Sequence, residues 1–118
     1  MTYNSYDPSN IIYALIDPRN HATRYVGTTT SSADPELAAQ IRLKEHLRCS
    51  DTNTEKIAWI RELKTAGMQP QIRIIEEIHW RQASEREIYW IKYYLDAGAP
   101  LVNIRIARRY KAKFRGQK

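Results

Sequence analysis

The chain has 118 residues, 42% of them hydrophobic, and a formal net charge of +6. This length allows one domain with one modest core, and no apolar run approaches the roughly 18 residues that a membrane span needs. The only cysteine, Cys49, excludes an intramolecular disulfide and a cysteine-based zinc site.

The N-terminal segment MTYNSYDPSN is polar and carries neither the basic nor the apolar region of a signal peptide. A single cysteine is also typical of a reducing compartment. We therefore expect a cytoplasmic (intracellular) location and no membrane partner.

Two β-branched runs, IIYALI and RYVGTT, flank the turn-like stretch DPRNHA and predict a β-hairpin. If the hairpin is symmetric about Arg19, Tyr13 lies directly opposite Tyr25, and both side chains project from the same face. Two phenols held side by side on a rigid ribbon are a candidate proton-handling pair. The alternative is an ordinary aromatic cross-strand pair.

The next two segments predict helices. Asp34 followed by proline has the pattern of an N-cap with proline at the first helical position. On the helix that follows, Arg42 and His46 are four residues apart and share one face. The sequence TNTE at 52–55 matches a capping box and opens a second helix that ends at Gly67.

The last predicted elements are a strand, a helix and an edge segment. PQIRIIEEIHW predicts a third strand with Ile72, Ile74 and Ile78 on one face. A third helix covers roughly 82–97, and LVNIRI then follows the sheet edge. These elements predict an α+β fold, in which helices flank a small central three-stranded, mainly antiparallel sheet.

We expect a single domain over residues 1–118 with a basic C-terminal segment at 104–118. Residues 101–118 hold seven of the 19 lysines and arginines and no acid, so the rest of the chain, with 12 basic and 13 acidic residues, has a net charge of −1. Such a segment neutralises phosphates in a salt-dependent way that is blind to sequence. A merely solvated tail is the alternative. The predicted nucleic-acid-binding residues are Arg105, Arg108, Arg109, Lys111, Lys113 and Arg115.

Six candidate site residues occur in a fixed order along the chain: Tyr13, Tyr25, Arg42, His46, Glu87 and Asn103. The pattern Tyr…Tyr-x-Gly…Arg-x-x-x-His…Glu-x-x-x-Ile…Asn resembles the GIY-YIG nuclease family over nearly the whole chain. It looks like a small single-domain member, similar to the catalytic domain of phage intron homing endonucleases. IIY at 11–13 stands where the family has GIY, and YVG at 25–27 where it has YIG. The first glycine of the family is replaced by Ile11.

The resemblance implies a metal-dependent DNA endonuclease that hydrolyses phosphodiester bonds and nicks one strand per site with weak sequence preference. Glu87 would bind Mg²⁺, for which Mn²⁺ substitutes, and Arg42 would stabilise the phosphate. Either Tyr13 or His46 would activate water, and the sequence leaves that choice open. Tyr25 would position the water, and Asn103 would fix the site by hydrogen bonds. DNA is the expected partner, with a specificity partner or a homodimer as a further expectation.

Three alternatives accompany this interpretation. The spacing Ser84-x-x-Glu87 also matches a capping box, which would make Glu87 a helix-terminus residue. The chain would otherwise be a non-catalytic nucleic-acid-binding module on the same fold, or a nuclease that acts on RNA or branched DNA. Divalent-metal-dependent cleavage distinguishes the non-catalytic module from a nuclease.

Overall fold

A computed structural model of the chain describes residues 8–31 and 34–103. The elements are strand β1 (Asn10–Ile16), strand β2 (Thr23–Thr30), helix α1 (Pro35–Leu47), helix α2 (Thr54–Thr65), strand β3 (Gln71–Ile78) and helix α3 (Ala83–Asp96), the last preceded by a short 3₁₀ helix (Trp80–Gln82). The strands form one antiparallel sheet in the order β2-β1-β3. The predicted α+β fold is confirmed.

The predicted phosphate-binding cations lie outside the described residues: Arg105, Arg108, Arg109, Lys111, Lys113 and Arg115. No helix in the described part of the chain has the length and hydrophobicity that crossing a bilayer requires.

The hairpin forms in a register that differs from the symmetric one. Tyr13 pairs with Gly27 rather than with Tyr25, which is offset by two residues along β2. The pairing shifts at an irregularity between Leu15 and Ile16, where Arg24 has no partner in the register. The prediction that the two tyrosines lie directly opposite one another was therefore wrong. An offset of two residues still leaves both rings on the same face.

The sheet buries both of its faces. One face packs against α1 and α2, and the other packs against α3. The first core consists of Ile11, Tyr13, Leu15, Ala39, Leu43, Trp59, Ile60, Leu63 and Val102. The second consists of Ile12, Val26, Ile78, Ala83 and Ile91. Tyr13 thus belongs to the core between the hairpin and the first two helices.

A bulge in β3 divides its isoleucines between the two cores. Ile75 has no partner in the register between β1 and β3. Ile72 and Ile74 pack against the first core, whereas Ile78 lies in the second. The prediction that all three share a face was wrong, because one extra residue turns the rest of the strand to the opposite side.

Short polar side chains begin the first two helices. Asp34 caps α1 as predicted and accepts a hydrogen bond from the backbone N–H of Leu37 at 3.1 Å. At α2 the cap is Asn53, which accepts from the backbone N–H of Lys56 at 3.0 Å. The predicted capping box placed the cap one residue too early, at Thr52, whereas the predicted start of the helix at Thr54 is confirmed.

Candidate active site

Helix α1 lies over the hairpin and directs two of its side chains at the same phenol. His46 Nε2 lies 2.6 Å from the hydroxyl oxygen of Tyr13, and Arg42 Nε donates a hydrogen bond to that oxygen at 3.1 Å. Tyr13 is completely buried, and His46 is nearly so. Three of the predicted site residues therefore meet at one oxygen atom.

Tyr25 completes an aromatic group around His46. Its ring centroid lies 5.1 Å from that of His46 in an edge-on arrangement and 6.3 Å from that of Tyr13. Tyr25 is half-buried, so it stands closer to solvent than the other two rings. The two tyrosines share a site, but as diagonal rather than directly opposed neighbours.

Glu87 is not part of a helix cap. The N-cap of α3 is Gln82, whose side chain makes no capping hydrogen bond, and Ser84 is already the second residue of the helix. The capping-box alternative for Glu87 is thereby removed, because a capping box requires the serine to stand at the N-cap position.

Glu87 lies on α3, which packs on the opposite face of the sheet from α1. Burial raises the pKa of its carboxyl group, and a hydrogen bond from the backbone of Thr28 and the charge of Arg42 oppose that rise. Glu87 in turn contributes to the raised pKa values of Tyr13 and Tyr25. The charge of Glu87 therefore acts on the residues grouped around Tyr13.

Glu87 would be a single carboxylate ligand for a divalent cation rather than a member of a ligand cluster. Among the described residues no three histidine, cysteine, aspartate or glutamate side chains come together as a metal-binding group, and Glu87 forms no ion pair within the same part of the chain. A half-buried carboxylate with a raised pKa favours an added positive charge. Magnesium is commonly held by one or two carboxylates together with waters and substrate phosphate.

The two candidate bases have shifted pKa values. Burial raises the pKa of the Tyr13 phenol far above its usual range, with Tyr25 and Glu87 adding to the effect and Arg42 opposing it. Burial also lowers the pKa of His46, and together with the positive charges of Lys56 and Arg42 it brings that pKa to about 3. At neutral pH the described protein therefore holds a neutral phenol and a neutral imidazole.

Asn103 bonds to the outer edge of β2. Its Oδ1 accepts from the backbone N–H of Val26 at 3.0 Å, and its Nδ2 donates to the carbonyl of Val26 at 2.6 Å. The neighbouring Val102 N–H donates to the carbonyl of Arg24 at 2.6 Å. Residues 102–103 thus form hydrogen bonds with backbone groups of the strand edge just before Thr28. The backbone of Thr28 in turn forms a hydrogen bond with Glu87. Asn103 therefore holds the strand in place by hydrogen bonds, and its role in a reaction stays a prediction.

Lys56 is a member of the site that the sequence patterns did not identify. It is only 1% exposed, and its Nζ lies 2.9 Å from His46 Nδ1. The same ammonium group forms an ion pair with Asp51 and lies 5.3 Å from the centre of the Tyr25 ring. Both ring nitrogens of His46 are consequently occupied by protein groups.

One signal in the sequence did point to Lys56. It stands four and seven residues before Ile60 and Leu63, which are both fully buried in the first core. A residue at i in an i, i+4, i+7 apolar stripe faces the core. A lysine at such a position indicates a buried charge that needs a partner.

No protein-family model, curated protein or solved structure matches this chain.

Proposed function

We propose that this chain is a metal-dependent endonuclease of the GIY-YIG type that hydrolyses phosphodiester bonds in DNA, nicking one strand per site with weak intrinsic sequence preference. The observation that carries the proposal is the contact of Arg42 Nε with the Tyr13 hydroxyl beside His46. The charge of Glu87, on α3, adds to the raised pKa of the same phenol. A guanidinium, a phenol and a carboxylate together supply phosphate binding, proton transfer and metal binding, which this reaction requires.

Arg42 is the group that meets the phosphate. Its side chain is 32% exposed, and its Nη1 donates to Glu45 at 3.2 Å. Within the described residues its Nη2 makes no hydrogen bond, so its N–H groups are available to a non-bridging phosphate oxygen. A guanidinium keeps its charge at every working pH and presents a planar fork to phosphate. The contact strengthens as negative charge develops on the phosphate in the transition state.

Tyr13, rather than His46, takes the proton of the attacking water. With a pKa of about 3 and both ring nitrogens occupied, His46 is a poor base at neutral pH. Tyr13 first gives up its own phenol proton to solvent. The water oxygen then forms a bond to phosphorus while its proton passes to the phenolate oxygen of Tyr13. The bond from phosphorus to the leaving oxygen then breaks, and that oxygen takes a proton from solvent.

The phenolate needs support from its neighbours, because burial makes an isolated phenolate unfavourable. Arg42 Nε already donates to the oxygen of Tyr13 and lowers its pKa. Glu87 would hold Mg²⁺ or Mn²⁺, and the cation, when bound, supplies positive charge that stabilises the phosphate oxygens and offsets the effect of Glu87 on the phenol. Tyr25, the more exposed of the two tyrosines, orients the attacking water.

Access to Tyr13 depends on Arg42. Tyr13 has no exposed surface, and the guanidinium that contacts its oxygen is itself partly exposed. Under this proposal, water reaches the phenol only when Arg42 shifts to engage a phosphate. This coupling limits proton transfer to the moment when substrate is bound.

DNA as the partner is supported by charge. Residues 101–118 contain seven cations and no acid, whereas the rest of the chain has a net charge of −1. Such a segment increases affinity for any phosphate backbone without selecting a sequence. A specificity partner or a second copy of the chain would supply the selection, and a cytoplasmic location belongs to the same proposal.

The experiment that tests the proposed function is incubation of the protein with supercoiled plasmid in Mg²⁺, with EDTA as the control. Nicked circles that accumulate before linear DNA, only when Mg²⁺ is present, are expected. Single-stranded RNA and a branched DNA are assayed in parallel to identify the preferred substrate. DNA binding without cleavage of any of these substrates in Mg²⁺ or Mn²⁺ would favour the non-catalytic module.

A further inference from the structure

Lys56 is a buried cation that the proposed reaction does not use. An ammonium in a protein interior is unfavourable unless its donors are paired. The partners of Lys56 are the Asp51 carboxylate, the Nδ1 atom of His46 and the face of the Tyr25 ring. An apolar side chain would fill the same place in the stripe of α2 without needing such partners, so the lysine has a role other than packing.

The chemistry of the contact determines which group donates. An ammonium carries N–H groups and no lone pair, so at 2.9 Å Lys56 donates and His46 Nδ1 accepts. A neutral imidazole has one N–H, which must then sit on Nε2. Because Nε2 lies 2.6 Å from the Tyr13 oxygen, His46 donates to that oxygen.

We propose that Lys56 is a positioning residue that holds His46 in its Nε2–H tautomer, so that His46 and Arg42 both donate to the hydroxyl oxygen of Tyr13. With two donors from α1 on its oxygen, Tyr13 directs its own O–H bond away from α1. The oxygen is thereby prepared to carry negative charge, which two N–H groups stabilise.

The groups around His46 are consistent with a single neutral tautomer. The titratable and charged side chains that face it are Tyr13 from β1, Tyr25 from β2, Arg42 from α1, Asp51 from the α1–α2 connection and Lys56 from α2. Two of them are cations and one is an anion, so a charged imidazolium is disfavoured. Asp51 accepts from the same ammonium group and so holds Lys56 beside His46 Nδ1.

The tautomer is measured directly by long-range ¹⁵N–¹H correlation spectra of the histidine side chains in the intact chain. In the wild-type protein we expect His46 to carry its proton on Nε2 and none on Nδ1 from pH 5 to pH 8. A proton on Nδ1, or on both nitrogens, would overturn the proposal. The wild-type spectrum decides this point even if no variant of Lys56 folds.

Substitutions then test whether Lys56 is the cause. In Lys56→Met we expect a mixture that includes the Nδ1–H tautomer, because the donor to Nδ1 is lost. Lys56→Arg keeps a cationic donor and should retain the wild-type tautomer. The matched control is Lys64→Met on the same helix, since Lys64 is exposed and donates to the carbonyl of Leu47. A wild-type tautomer in folded Lys56→Met would contradict the assignment.

The consequence for rate rests on the proposed function, whereas the tautomer does not. In single-turnover cleavage of plasmid DNA, Lys56→Met should be about 10- to 100-fold slower, the range seen when a group that orients a functional histidine is removed. Its DNA affinity should stay within a few fold, and its pH–rate profile should shift, while Lys64→Met matches the wild type. A wild-type rate and profile in Lys56→Met would contradict a positioning role. If the wild-type protein cleaves nothing, the proposed function fails and the spectra still decide the tautomer.

Discussion

Gly27 pairs with Tyr13 across the hairpin, and a Cβ atom at position 27 would lie 2.5 Å from the Tyr13 hydroxyl oxygen. It would also lie 2.8 Å from Cε1 of Tyr25. Position 27 therefore requires glycine, because the two phenol rings occupy the volume that any other side chain would fill. The glycine and the tyrosine pair form one structural unit.

Gly27→Ala should lower the free energy of unfolding by about 1–2 kcal/mol. Overpacking typically costs about 1–3 kcal/mol, and the gain in backbone entropy returns only about 0.5–1 kcal/mol. Urea unfolding measures the loss, and NMR shifts of the Tyr13 and Tyr25 rings locate it. Gly98→Ala is the control, since its Cβ would meet no atom within 4 Å and only its positive φ is strained. Unchanged stability and unchanged tyrosine shifts in Gly27→Ala would show that the crowding is relieved elsewhere.

Tyr13→Phe should remove most cleavage and some stability. The lost oxygen leaves Arg42 Nε and His46 Nε2 without their buried partner, at a cost of about 1–3 kcal/mol. The single-turnover rate should fall by about 10²–10⁴-fold, the usual contribution of a general base. Tyr25→Phe should be milder, and Tyr89→Phe on the exposed side of α3 should leave the rate unchanged. If Tyr13→Phe cleaves normally while His46→Ala is inactive, the base is His46.

Arg42→Ala should lose on the order of 10²-fold or more in single-turnover rate, because the guanidinium contacts charge that develops in the transition state. Arg42→Lys should retain part of the activity, since a point charge remains without the planar fork. Arg61→Ala, at an exposed position on α2, is the matched control. Equal and mild losses in both Arg42 variants would place this arginine outside the chemistry.

The free energy of unfolding should decrease as the pH is lowered through a window set by the two pKa values of His46. Its pKa is about 3 in the folded protein and about 6.5 in an unfolded chain. Between these values the unfolded state binds a proton that the folded state does not, so this contribution is complete above pH 6.5 and is lost as the pH falls. The slope from one such group is about 1.4 kcal/mol per pH unit. Urea unfolding from pH 5 to 7 should show a smaller slope in His46→Gln than in wild type or in His21→Asn, a change at the exposed turn. Equal slopes in all three would mean that His46 does not titrate in this way.

Local signals in the sequence predicted the elements that a short segment can determine. Asp34 followed by proline marked the start of α1, and the four-residue spacing of Arg42 and His46 placed both on one face. In each case the deciding residues lie within one helix turn or one strand.

The two bulges were not predictable in the same way. The irregularity at Leu15–Ile16 and the unpaired Ile75 each depend on how two strands pair. Each changes the pairing by one residue, which is enough to alter which side chains face which core. The sequence of one strand does not determine the register in which its partner pairs with it.

The contact of Lys56 with His46 was not predicted, for a related reason. Lys56, Asp51 and His46 come together only when α2 packs beside α1. On a helical pattern a single lysine is normally solvated, and its burial here depends on two partners from other segments. The signal in the apolar stripe shows that it faces inward, but not which atom it contacts.

Glu87 provides the most direct test of the central claim, that this chain is a metal-dependent nuclease with one carboxylate at its metal position. Plasmid nicking in Mg²⁺ and gel-shift affinity are measured on the same preparations of wild type, Glu87→Gln and Glu85→Gln, the last at an exposed position on the same helix. The account predicts that Glu87→Gln loses nicking while DNA binding stays within a few fold, and that Glu85→Gln matches the wild type. Nicking at the wild-type rate by Glu87→Gln would contradict it.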